Sequence, residues 1–179
     1  GSAEWLAYRR TRLNASDAAA MLGCSTYKSR AELLREVATG IIPDADPATK
    51  RLWAEGHRAE ALCRPFAETL LDGDDLVPMV FSCAVTGLTR RLSASLDGVT
   101  MLRDSLWEYE LVNDAIRNAF RSSTPALSLP KMYLVQMQQQ CMCTGATRVL
   151  FVASRWSPEG ELLEEVHCWF ESDPALADE

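Results

Sequence analysis

The chain has 179 residues, 47% of them hydrophobic and 24% charged, with a formal net charge of -7. That length supports one domain with a self-sufficient core, and that composition excludes a disordered or fibrous chain. The acidic balance argues against a generic basic coat for nucleic acid, while leaving room for a local basic groove.

The basic residues are lopsided: of 18 Lys and Arg, only Lys28, Lys50 and Lys131 are lysines. Arginine suits two-pronged phosphate contacts, although a GC-rich coding sequence produces the same bias. Six cysteines form no CxxC pair and no zinc spacing, and most sit in apolar runs. They read as reduced core residues of a cytosolic protein. No apolar run approaches the length of a membrane span and no signal-peptide pattern opens the chain, so a cytoplasmic protein is expected. The leading Gly1-Ser2 reads as a cloning remnant.

In chain order, Glu4 to Arg12 carries an aromatic anchor at Trp5 and a cluster of Arg9, Arg10 and Arg12. Asn14 to Asp17 supplies helix-capping residue types ahead of an apolar run from Ala18 to Leu22, closed by Gly23. A second helix is predicted from Ser29 or Arg30 to about Thr39, closed by Gly40. After a proline-containing loop, Pro47 opens the longest helix, reaching Leu71. Gly56 lies inside it, which suggests close approach of another backbone or of a ligand, and Glu60 follows one turn later on the same face. Leu76 to Ala84, Leu92 to Leu96 and Leu106 to Val112 read as strands, and Asp114 to Arg121 as a short helix. A Ser/Thr/Pro loop leads to a strong helix from Lys131 to Thr144, ended by Gly145. Its glutamine run, Gln138 to Gln140, reads as helix surface. Thr147 to Ala153 and Leu162 to Phe170 complete a hairpin turned at Ser157 to Gly160. Helices first, then strands with one helix between them, predict an α/β (α+β) fold with a mixed sheet.

The stretch from Ser93 to Asn113 organises the rest. Asp97-Gly98 ends one alternating segment, and Trp107-Glu108-Tyr109-Glu110 belongs to the next. As neighbouring strands they would set Asp97 and Glu108 side by side at one end of a sheet. Paired carboxylates suit a hard divalent cation such as Mg2+, which prefers oxygen ligands and retains several waters. Taken alone, the same stretch also fits a polar hairpin with solvated acids.

Five segments in register carry a resemblance to a known family. They are Trp5-Leu6 through Arg9 to Asn14-Ala15-Ser16-Asp17, Gly56 to Glu60, Ser95 to Gly98, Trp107 to Glu110, and Tyr133 to Gln138. Together they resemble the lambda-exonuclease / YqaJ-like viral recombinase family, within the PD-(D/E)xK nucleases. The resemblance implies a restriction-endonuclease-like core, a central mixed sheet flanked by helices, filling one nuclease domain over 1–179. It implies Mg2+ or Mn2+ held by Asp97, Glu108 and the main-chain carbonyl of Tyr109, with Glu60 reaching the metals directly or through water. Arg9 and Ser16 would hold a terminal 5′-phosphate, and Gln136 would orient water or phosphate. By ordinary chemistry Ser16 is also a plain capping residue and Glu60 an exposed helix acid. Of the two histidines, only His57 is given a use, as a DNA contact.

The implied activity is that of a phage or prophage alkaline exonuclease acting in a bacterial host. It digests double-stranded DNA from an end, 5′ to 3′, and leaves a 3′ strand for a single-strand annealing protein. A ring-shaped homotrimer is implied as well. One position departs from the family. The superfamily's lysine, two residues after the metal-binding glutamate, is here Glu110. A carboxylate cannot stabilise negative charge on phosphorus, so the expectation is weak hydrolysis with metal binding retained. The lysine was replaced deliberately, or lost in a degenerate DNA-end-binding relative, or its role passed to Lys131 or, second, to Lys28. The C-terminus departs too: Asp173-Pro174 resembles the start of a family helix whose remainder is missing.

Overall fold

A computed structural model describes residues 2–178; Gly1 of the leading pair lies outside them. Eight helices and six strands follow in the order α1 (Ala3–Arg10), β1 (Leu13–Asn14), α2 (Ala15–Met21), α3 (Arg30–Thr39), α4 (Pro47–Leu70), β2 (Val77–Cys83), β3 (Leu92–Val99), β4 (Ser105–Leu111), α5 (Asp114–Ala119), α6 (Pro125–Ser128), α7 (Lys131–Thr144), β5 (Arg148–Trp156), β6 (Leu162–Glu171) and α8 (Pro174–Ala177). The strands form one mixed sheet in the order β1-β3-β4-β5-β6, with β2 also paired to β3. The β1–β3 and β4–β5 pairs are parallel and the others antiparallel.

Alternation along β4 divides the protein into its layers. Leu106 joins the core beneath α7, with Tyr133, Met137 and Phe151. Trp107 and Tyr109 point the other way, into the core beneath α4, with Ala59, Cys63 and Ala67. Period two on a strand requires Glu108 and Glu110 to share the α7 face. The small residues Ala59, Cys63 and Ala67, four apart, let α4 lie close on the sheet.

The boundaries follow local chemistry. Ser29 and Glu32 form a reciprocal capping box at α3, and Asp46 caps α4 ahead of Pro47. Gly40 and Gly145 close α3 and α7 in the left-handed conformation. Short pieces carried too little pattern to read: the two-residue β1, the four-residue α6, and α1, whose apolar period is weak. Asp173 and Pro174 do open a short helix, α8, with Asp173 accepting a hydrogen bond from Ala175 N. Of the six cysteines, Cys63, Cys141 and Cys143 are buried and the other three partly so, all with free thiols. Among the described residues no helix is long and apolar enough to cross a membrane.

Two glycines have opposite surroundings. A Cβ at Gly98 would fall 2.9 Å from Leu76 Cβ and 3.1 Å from Trp107 Cε3, so only glycine permits this approach. At Gly56 the expected backbone approach is absent: a Cβ there would meet no protein atom within 4 Å. We therefore predict that Gly98→Ala destabilises the fold by about 1–3 kcal/mol through overpacking. Gly56→Ala gains up to about 1 kcal/mol from helix propensity. Chemical denaturation of both variants checks the pair.

Candidate functional site

β3 and β4 pair through only two residue couples, Gly98 with Trp107 and Val99 with Leu106. One step further, where Asp97 would face Glu108, the ladder ends. Asp97 Oδ2 there accepts the Tyr109 N–H at 2.9 Å, so a side chain takes the place of a strand partner. The Asp97 carbonyl turns to α4, where Arg64 Nη2 donates to it at 2.8 Å. The strand end thus opens around two acids.

Glu108 is buried, and both of its oxygens are held from α7. Gln136 Nε2 donates to one oxygen, and Gln140 Nε2 donates to the other at 2.5 Å. Gln136 was expected here; Gln140 was not. The glutamine run is not helix surface. Gln138, Gln139 and Gln140 are buried, with Gln138 Oε1 accepting the Asp173 N–H and Gln139 Nε2 donating to the carbonyls of Leu13 and Ser93. Each buried amide has found a fixed polar partner, which is the condition for burying one. Spacing held the clue for Gln140, which lies one helical turn beyond Gln136 and so shares its face. Among the described residues its Oε1 has no hydrogen-bond partner.

Glu60 stands on α4, bonded to Arg64 Nη2 at 3.1 Å, with His57 Nδ1 3.8 Å from its other oxygen. Its negative charge is felt at both Asp97 and Glu108. Arg64 was not anticipated, although a Glu–Arg pair four residues apart on a helix is a readable signal.

Enclosure of so much like charge favours the protonated forms. Burial first, then Glu60, pushes Asp97 up to about 7. Burial and then the charge of Asp97 push Glu110 to about 8. Glu108 is raised well above the usual carboxylate range by burial, Asp97 and Glu110. Tyr109 N–H and Arg64 oppose the rise at Asp97, as Gln140 does at Glu108.

Glu110 lines a small cavity of about 220 Å3 together with Ser16, Tyr27, Lys28, Met132 and Gln136. Arg9 is tied to this cavity through Ser16, donating from Nη2 to Ser16 Oγ at 2.7 Å, with Asp17 3.6 Å away. The guanidinium on α1 and the hydroxyl on α2 expected to act together are therefore in contact, and Ser16 shares the cavity with Glu110 and Gln136. Ser16 lies inside the first turn of α2, where its hydroxyl caps nothing; Asn14 occupies the cap position. Lys131 is exposed at the start of α7 and does not line this cavity, whereas Lys28 does, with Nζ 2.5 Å from Glu36. His167 is on β6, bonded to Glu165.

Among the described residues no three Asp, Glu, His or Cys side chains converge tightly enough to cage a metal ion alone. The donors fit a hard cation that keeps its waters: two carboxylates held at a strand end, the main chain of Tyr109, and Glu60 nearby. A cation held there would offset the mutual repulsion of these acids.

The comparisons agree with this architecture. Residues 4–147 match the YqaJ-like viral recombinase domain. The chain belongs to that family. An alkaline exonuclease from Laribacter hongkongensis, LHK-Exo, shares the fold at 22% identity and a TM-score of 0.70, over 99% of this chain and 86% of that one. Its complex with dAMP superposes similarly, with a TM-score of 0.71 and the same identity and coverage. A phage-related exonuclease from Haemophilus somnus 129PT matches at 11% identity and a TM-score of 0.62, covering 93% of this chain and 87% of that one. No curated protein matched. The central mixed sheet flanked by helices is the restriction-endonuclease-like core expected from the sequence.

The raised acids make a YqaJ-like chain with an unusual pH response. A carboxyl whose folded pKa lies above its unfolded value adds stability below the unfolded pKa, and that stability is lost as pH rises through the folded value. In metal-free buffer the melting temperature should fall between about pH 5 and pH 9, through the region near 7 to 8 where Asp97 and Glu110 titrate. Glu110→Gln should flatten that decline. A pH series of thermal melts in chelator measures both.

Proposed function

We propose that this chain is a phage-type exonuclease that hydrolyses double-stranded DNA from a 5′ end with Mg2+ or Mn2+, in recombination. The observation that carries the proposal is that Gln136, bonded to Glu108 beside Asp97 at one strand end, lines the same cavity as Glu110 and as Ser16, which accepts from Arg9. Membership of the YqaJ-like viral recombinase family supports it, as does likeness of fold to two exonucleases.

Asp97, Glu108, the Tyr109 carbonyl and, directly or through water, Glu60 would hold the cation. Bound there, it supplies a Lewis acid for the phosphate and lowers the pKa of a coordinated water. The chain's own groups do the rest. Arg9 presents a guanidinium fork to a terminal phosphate, with the Ser16 hydroxyl beside it. Gln136 and Gln140 hold Glu108 in one orientation while leaving it lone pairs to share. Tyr109 N–H fixes the rotamer of Asp97. Glu110 occupies the place of the missing lysine and offers no positive charge to the phosphate, so turnover is slow.

A partner annealing protein, a homotrimer encircling DNA, and residence in the cytoplasm of a bacterial host belong to the same proposal. A second reading, a DNA-end-binding protein that has lost its chemistry, is favoured by Glu110 alone. A 5′-phosphorylated duplex incubated with Mg2+ separates the two. The proposal expects slow shortening of the 5′-phosphorylated strand, at least tenfold faster in Glu110→Lys. Equal rates would remove Glu110 as the cause of slow turnover. A stable complex with no product from either protein would favour the binding reading.

A further inference from the structure

We infer that Arg64 is the positioning residue of the cation site, a single guanidinium that sets where Asp97 and Glu60 stand relative to each other. The inference rests on the proposed metal site and adds to it a residue outside the ligand set.

Arg64 joins four parts of the fold. It projects from α4, half-buried, one turn beyond Glu60. Nη1 donates to the Leu76 carbonyl at 3.0 Å, just before β2. Nη2 donates both to the Asp97 carbonyl on β3 at 2.8 Å and to Glu60 Oε1 at 3.1 Å. Its Cζ lies 4.9 Å from the ring centroid of Trp107 on β4, a fully buried side chain whose indole packs in the core under α4. A planar fork can serve acceptors in three directions while its face rests on an aromatic ring; a lysine ammonium has no such plane.

The contact to Asp97 decides the matter. β3 and β4 cease pairing at this residue, so ordinary sheet bonds do not fix its backbone against β4. Asp97 is held instead at two points: its carboxylate by Tyr109 N–H and its carbonyl by Arg64. The bond to Glu60 ties the third acid to that same atom, so one side chain fixes the spacing between an acid of α4 and an acid of β3. It does so while placing positive charge among carboxylates that repel one another. Loss of the fork would leave two carbonyls and Glu60 without this partner and let α4 move relative to the strand end.

A purely structural arginine would lower stability without altering the site's preference for cation. The test is therefore Mn2+ binding to the DNA-free protein, followed by calorimetry or by electron paramagnetic resonance, for wild type, Arg64→Gln, Arg64→Lys and Asp97→Asn. The expected result is at least a tenfold loss of Mn2+ affinity in Arg64→Gln with far-UV circular dichroism unchanged. Arg64→Lys, which keeps charge but not the fork, should recover part of that loss; if Arg64→Gln does not fold, Arg64→Lys is read alone and should still bind more weakly than wild type. Affinity within twofold of wild type in the folded Arg64 variants would overturn this inference while leaving the metal site standing. No binding by wild type, matching Asp97→Asn, would overturn the metal site and this inference with it.

Discussion

The structure depends on a repulsion. Asp97, Glu108 and Glu110 are brought together where two strands stop pairing, with Glu60 facing them from the helix across the sheet, Glu108 buried and the other three partly so. Every neighbouring feature answers that charge. A main-chain N–H serves Asp97, two amides serve Glu108, and Arg64 serves Glu60 and the Asp97 backbone. These dipoles and the one guanidinium lessen the repulsion but leave the acids raised. A buried group of carboxylates has no value as packing, since apolar side chains of similar volume would hold the fold better. Its retention makes sense for a protein that uses the charge.

The fold supplies this arrangement by simple means. The close approach at Gly98 brings Trp107 and Leu76 against β3, and the short β3–β4 ladder ends immediately after it. The parallel β4–β5 pairing, continuous from Ser105 to Leu111, keeps β4 rigid beneath the site. α7 crosses the same face with its glutamines inward, and its neighbour α2 brings Ser16, next to Arg9, to the edge of the cavity. Three separate stretches of chain therefore meet because one sheet has α4 on one side and α2 with α7 on the other.

Much of this was legible in the sequence because strong local signals mark it. Helix signals at Ser29, Pro47 and Gly145, and alternation in β4, placed α3, α4, α7 and β4 within a residue or two, while β3 and β5 each run three residues further than their apolar pattern suggested. Asp97-Gly98 announced a strand end, although β3 continues through it to Val99. The misses have a common cause. Gln138 to Gln140 looked like surface because polar residues usually are; their burial depends on carbonyls, hydroxyls and a carboxylate contributed by distant elements. Arg64 looked like one more arginine on a helix, since its carbonyl acceptors at Leu76 and Asp97 are 12 and 33 residues away. At Gly56 the backbone half of the expectation fails, because the missing side chain makes open space that no other backbone fills. Short segments such as β1 and α6 owe their shape to tertiary contacts, which overrule weak local preference.

This acid cluster is proposed to receive a divalent cation. Raised carboxyls must give up protons when a cation displaces them, so binding and proton release are linked. The most direct measurement is calorimetric titration of Mn2+ into the DNA-free protein at pH 7, repeated in buffers of different ionisation enthalpy. Release of about one proton or more per ion bound is expected at pH 7, falling toward none above about pH 9 where the acids are already ionised. Binding without proton release at pH 7, or no binding at either pH, would contradict the proposal.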